Sequence, residues 1–200
     1  MSVYSLPTTL TVAGKEYKIR SDYRVVLDCV LAMRDPNVEH KDKLLIVLCN
    51  IYEDAYRIMK TDDPFIKKAD EVVSLFDDIE QAIKQAMWFI AGGKTEAPKK
   101  QRRMMDWEQD FPLIVAPINQ IAGTEIRALP YWHWWSFLAA YMNIGESTFL
   151  NVVEIRRKLA AGKKLEKWER DFYNNNRSLV TIQTKLSESD EKALADIFSG

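Results

Sequence analysis

Two histidines, His40 and His133, and two cysteines, Cys29 and Cys49, are the chain's whole supply of imidazole and thiol. A catalytic zinc takes three protein ligands, and neither Cys-x-x-Cys nor His-x-x-x-His occurs to supply them. His133 lies amid Trp132, Trp134 and Trp135. A general base there would need an orienting partner, and no spacing identifies one; a packed imidazole bonded to a backbone carbonyl accounts for it. Cys29 and Cys49 fall in apolar, helix-like stretches and are expected to be buried small hydrophobes rather than a disulfide. Gly92-Gly93-Lys94-Thr95 imitates the end of a phosphate-binding loop. The Gly required five residues before the second one is Trp88, and a helical pattern rather than a strand precedes it. Residues 61–80 carry seven acids against Lys67 and Lys68, a net of -5. Calcium loops set acids at alternate positions around a Gly, and this stretch has no Gly. No catalytic, cofactor-binding or metal-ligating residue is nominated, so a non-enzymatic role without a cofactor is expected.

The chain has 200 residues, 47% of them hydrophobic, enough for one domain or two small ones with a buried core. Its 28 Lys and Arg balance 29 Asp and Glu, which gives no global reason to expect nucleic acid or an anionic membrane as partner. The layout is nonetheless uneven. Residues 151–185 hold nine bases against four acids, net +5. Like chains could therefore meet acidic first half against basic second half. The candidate self-association faces are Asp70, Glu71, Asp77 and Asp78 on one side, and Arg156, Arg157, Lys163 and Lys164 on the other. The longest apolar run, residues 44–49, falls far below the ~20 needed to span a bilayer. The first residues lack a basic and apolar leader pattern, so an intracellular, reduced protein is expected.

The elements that must position these residues are mostly helical. Residues 8–20 read as a β-hairpin turning at Ala13-Gly14. Ser21 or Asp22 caps a helix with Val25, Val26, Cys29, Val30 and Met33 apolar, ended by Asp35-Pro36. A second helix runs from about His40 to Tyr52 or beyond. A third spans Asp70 to Ala91 and stops at Gly92-Gly93. Residues 94–103 contain five bases and one acid and read as an exposed basic linker. Asp106 or Asp110 starts the next helix, in which Pro117 should cause a kink or shift. Ser147 or Glu146 caps a helix bearing Phe149, Val152, Val153, Arg156 and Leu159, closed by Gly162. Residues 164–176 form another, and Ser187 opens a last short helix with Leu194 and Phe198. The expected fold is mainly α, a short N-terminal β-hairpin followed by two small helical bundles. The division is 1–93, the linker 94–103, and 104–200.

The densest signal is Tyr131 to Tyr141, with three Trp, one Phe and two Tyr in eleven positions. On a helix Trp134, Phe137, Leu138 and Tyr141 share a face, while Trp132 and Trp135 point elsewhere. Trp132, Trp134, Trp135, Phe137 and Tyr141 are the candidate aromatic residues, read as the core of a central helix or as an interface hot spot.

Asp106-Trp107-Glu108-Gln109-Asp110, Leu113-Ile114, Leu129-Pro130-Tyr131-Trp132-His133-Trp134-Trp135-Ser136-Phe137, Ile155-Arg156 and Tyr173 together resemble the phage gene-product-fifteen family of small tailed-phage proteins. Trp88-Phe89-Ile90 before Gly92-Gly93 also fits that family's first half. The resemblance implies a tail assembly chaperone, a homo-oligomer that coats the tape measure protein while tube subunits polymerise around it. It further implies the tail tube protein or a second chaperone as added partners, action in the host cytoplasm, and absence from the finished virion. The alternative is a nucleic-acid-binding phage protein using residues 94–103 and 156–170, or another phage structural or host-interaction protein.

Overall fold

The computed structural model describes residues 4–95 and 102–183. Most of the basic segment 94–103 and the helix expected from Ser187 lie outside the described residues. The described residues form ten α-helices and one two-stranded sheet. Their contacts sort into two compact units. The first comprises residues 4–95 together with Tyr131–Ser136, and the second residues 102–130 and 137–183.

In the first unit, β1 (Thr9–Val12) and β2 (Lys15–Lys18) pair antiparallel, with Leu10 opposite Tyr17. Ala13 and Gly14 both take positive φ, 49° and 80°, as a two-residue hairpin turn of the right twist requires. Alternation buries Leu10, Val12 and Tyr17. Five helices complete the unit's first segment: α1 (Tyr23–Arg34), α2 (His40–Ile51), α3 (Glu53–Met59), α4 (Phe65–Ser74) and α5 (Ile79–Ile90). Asp22 caps α1 by accepting from the Arg24 N–H at 3.0 Å.

One helix ends near the expected Tyr52, and another, expected to be continuous, is interrupted. The second helix stops at Ile51 because Tyr52 takes an extended conformation and pairs with Ile19 beside the hairpin. Its hydroxyl donates to the Ala82 carbonyl at 2.8 Å, and its ring packs on Tyr17 and Phe76. The segment from Asp70 to Ala91 is two helices, not one. Apolar spacing runs through the break, but Asp78 accepts from the Gln81 N–H at 2.8 Å and starts α5 afresh. Phe76 meanwhile turns inward.

The second unit holds α6 (Trp107–Ala122), a 3-10 turn (Ile126–Ala128), most of α7 (Trp134–Met142), α8 (Thr148–Ala160), α9 (Lys167–Asn175) and α10 (Arg177–Val180). Asp106, not Asp110, caps α6, accepting from the Glu108 and Gln109 N–H groups. Pro112 and Pro117 both lie inside this helix, which runs unbroken to the left-handed Gly123. Ser147 caps α8, and Glu166 with Glu169 forms a reciprocal capping box on α9. Ile114, Ile118, Ile126, Phe137, Phe149, Val152, Ile155 and Val180 are among the buried apolar residues of this unit.

The aromatic segment does not start as a helix. Residues 131–133 are extended and pair with Ser21–Tyr23: Trp132 N–H donates to the Asp22 carboxylate, Tyr23 N–H to the Trp132 carbonyl, and Trp134 N–H to the Ser21 carbonyl at 2.7 Å. Helix α7 begins only at Trp134. Trp134 is 2% exposed and donates its indole N–H to the Ile90 carbonyl at 2.9 Å. Replacing it with Ala should cost about 3–5 kcal/mol, the range for large aromatic core truncations. A melting curve within ~2 °C of the parent would contradict this placement.

Candidate interaction surfaces and the residues that frame them

The C-terminus of α5 shows how the His-Trp-Trp segment is used. The last four carbonyls of a helix lack intrahelical donors. Here Trp134 reaches the Ile90 carbonyl and Trp135 the Phe89 carbonyl, the latter at 3.0 Å. The Trp135 ring also stacks with Phe89 and meets Trp88 edge to face, with centroids 5.4 Å apart in the latter pair. A Cβ on Gly93 would stand 3.0 Å from the Trp135 ring, and Gly93 has φ +82°. Only glycine meets both the space and the backbone demand.

His133 completes the arrangement. Its Nδ1 accepts from the Trp135 N–H at 3.0 Å, capping α7. The proton must then sit on Nε2, which donates to the Pro7 carbonyl at 3.0 Å. Both ring nitrogens are occupied and the ring is 3% exposed. Burial lowers its pKa below 6.5, against the opposing pull of the Pro7 carbonyl. His133 is therefore a neutral structural imidazole, as its packing among tryptophans suggested.

The second unit is organised by an ion pair between Asp110 and Arg156. Arg156 Nη1 and Nη2 bind the two Asp110 oxygens at 2.6 and 2.9 Å, and both side chains are enclosed. Its remaining donors reach the Val180, Met104 and Leu179 carbonyls. Asp110 also accepts from the Asp106 N–H. Arg156 thus does not belong to an outward charge face; the correction follows from its position on the buried stripe of α8 beside Val152 and Ile155. Nearby, Gln109 Nε2 donates to the Ser178, Leu179 and Thr181 carbonyls, and Lys158 binds the interior Glu169 at 2.6 Å. Lys158 holds the Glu169 carboxyl below its ordinary range. Sequence reasoning singled out neither pair. Their signal was an acid and a base standing on apolar helical stripes, Asp110 between Trp107 and Ile114, and Arg156 next to Ile155.

The other nominated residues distribute as follows. Trp132, half-buried, meets Tyr23 edge to face in the first unit. In the second, Phe137 is buried and Tyr141 packs between Trp107 and Phe149. Asp70, Glu71, Asp77 and Asp78 are exposed, Asp78 as the α5 cap. Arg157, Lys163 and Lys164 are exposed, and Arg157 pairs with Glu154. Cys29 and Cys49 are buried, with thiol pKa values pushed up to about 12 and about 11 by burial. Among the described residues no group of His, Cys, Asp and Glu is arranged to hold a metal, and no helix is long and apolar enough to cross a membrane.

Exposed apolar side chains occur at several places, Leu6, Ile121, Tyr131 and Met142 among them, and two groups lie on α4 and α9 beside charged residues. On α4, Ile66, Asp70 and Val73 stand at i, i+4 and i+7 and are all exposed, Ile66 by 75% and Val73 by 46%. Around Trp168, itself 51% exposed, Lys163, Lys164, Lys167 and Arg170 are exposed.

Removing one partner of the enclosed ion pair, Asp110→Ala or Arg156→Ala, should cost about 3–5 kcal/mol and abolish cooperative melting of the second unit if stability is low. An effect below ~1 kcal/mol would mean the pair is open to water. For His133 the sign is fixed by its lowered pKa. The unfolded imidazole binds a proton before the folded one, so stability is full above about pH 6.5 and falls as the pH drops toward the folded value. Denaturant midpoints at pH 7.5 and 5.5 should differ by more in the parent than in His133→Gln.

The family model described as Bacteriophage Gp15 protein matches residues 3–182 of the 200. No curated protein and no solved structure matches the chain. The match spans both units, and the chain belongs to the bacteriophage Gp15 protein family.

Proposed function

We propose that this member of the bacteriophage Gp15 family is a tail assembly chaperone. In this reading it acts in the host cytoplasm, self-associates, coats the tape measure protein while tail tube subunits polymerise around it, and leaves before the virion is complete. Its work is binding, without catalysis or a cofactor. The supporting observation is the character of its exposed surface. Apolar side chains on α4 and α9 stand in water beside charges, while the polar groups of the two interiors are engaged with partners. Exposed aromatic and aliphatic residues ringed by charge suit reversible binding to an amphipathic helical partner.

A second reading draws on Lys163, Lys164, Lys167 and Arg170 around the exposed Trp168. Bases with an exposed ring are the means by which single-stranded nucleic acid is held.

Co-expression with a helical fragment of the tape measure protein separates the two. The chaperone reading expects a soluble complex that survives affinity purification and nuclease treatment. Binding of random-sequence DNA with a steep loss of affinity between 50 and 200 mM salt, and no retention of the fragment, would replace it with the nucleic-acid reading.

A further inference from the structure

We propose that the outward face of α4 and the Trp168 region of α9 are the two halves of one head-to-tail contact between copies of this chain. The inference rests on the chaperone reading only in requiring self-association, and it adds the surfaces that make it.

The two regions match in kind. Each offers apolar side chains to water: Ile66 and Val73 on α4, with Phe65 in its first turn 58% exposed, and Trp168 on α9, with Leu159 at the end of α8 42% exposed. Each is flanked by charge of one prevailing sign. Asp62, Asp70, Glu71 and Asp77 form no ion pair within 4 Å among the described residues, whereas Lys67 is taken by Asp63 at 2.7 Å and Lys68 bonds the Met59 and Thr61 carbonyls. On the other side Lys163, Lys164, Lys167 and Arg170 form none, whereas Glu169 is enclosed by Lys158; Glu166 and Asp171 remain as minority acids. The internal pairs therefore leave acid in excess on α4 and base in excess on α9. Leaving Ile66 and Trp168 in water is unfavourable, and covering one with the other removes both from it. Opposite charge at the rim sets the register and disfavours α4 against α4 or α9 against α9.

Because the two faces differ, each copy uses both, one toward each neighbour. Such contacts close into rings or continue as helical filaments. A coat on a long, extended partner requires that kind of repetition.

The test uses the full chain and two variants at exposed positions, Ile66→Ser/Val73→Ser and Trp168→Ala, each checked for a parental melting curve. In sedimentation at low salt the parent should form species larger than a dimer, shifting to smaller ones as salt screens the rim. Either variant alone should associate at least about tenfold more weakly, the loss expected of an interface aromatic or its pocket. Mixed in equal amounts, the two variants each keep one intact face, so they should form a one-to-one dimer and nothing larger. A monomeric parent at high concentration overturns the proposal. So does a variant that associates like the parent, or a mixture that stays monomeric. Charge reversals Asp70→Lys/Glu71→Lys and Lys164→Glu/Lys167→Glu give an independent pair should either apolar variant fail to fold; each must weaken association alone and restore it when combined. A parent chain that is monomeric yet retains the tape measure fragment defeats this inference and leaves the chaperone reading standing; an assembling chain that ignores the fragment does the reverse.

Discussion

Arg156 has five N–H donors, and each has an acceptor: two on Asp110, and the carbonyls of Met104, Leu179 and Val180. Its charge is out of water, so a missing acceptor could not be replaced by solvent. That condition ties together the approach to α6, the middle of α8 and the end of α10. Enclosed ion pairs are weak sources of net stability, because desolvation offsets much of the attraction. Their geometric demand is strict, however: the guanidinium fork accepts one arrangement of three chain segments. Gln109 repeats the logic beside it, with its amide N–H donors on three carbonyls and its carbonyl accepting from the Gln183 N–H.

The first unit meets the same constraint with indoles. A helix ending in an interior must have its last carbonyls satisfied, and Trp134 and Trp135 bring N–H donors to α5 from a segment some forty residues later in the chain. His133 orients that segment through its two nitrogens. The residues that carry the resemblance to the phage family are thus largely those that hold the fold: Asp106 the cap, Trp107 the ring under Phe137 and Tyr141, Asp110 and Arg156 the ion pair, His133, Trp134 and Trp135 the seal on α5. Family membership, shown by the match over residues 3–182, thus coincides with a set of residues that hold the fold.

Legibility in the sequence followed the range of the interactions. The hairpin at Ala13-Gly14 and the helix starts at Ser21 or Asp22 and at Ser147 or Glu146 depend on near neighbours and were readable, and composition gave His133 as a packed imidazole on a backbone carbonyl, though not that the carbonyl is Pro7's. The break at residues 75–78 was not readable, because apolar spacing continues through it and tertiary partners of Phe76 decide it. Asp110 and Arg156 are 46 positions apart; periodicity shows each as an anomaly on an apolar stripe but cannot join them. Counting Arg156 among surface charges was the resulting error. On α4 the exposure of Ile66 and Val73 was equally hidden, since helical spacing does not say which stripe the rest of the molecule covers.

The first unit is built from two stretches of chain, and this has a consequence for its birth on the ribosome. Helix α5 is complete at Ile90, but the tryptophans that seal it are synthesised only after the linker and α6. At roughly 5–20 residues per second, that interval lasts on the order of a few seconds. During it the nascent unit holds an unsealed Ile90 carbonyl and an uncovered Trp88 and Phe89. Its folding cannot finish strictly from the N-terminus onward. The first unit therefore closes only once residues 133–136 have left the exit tunnel.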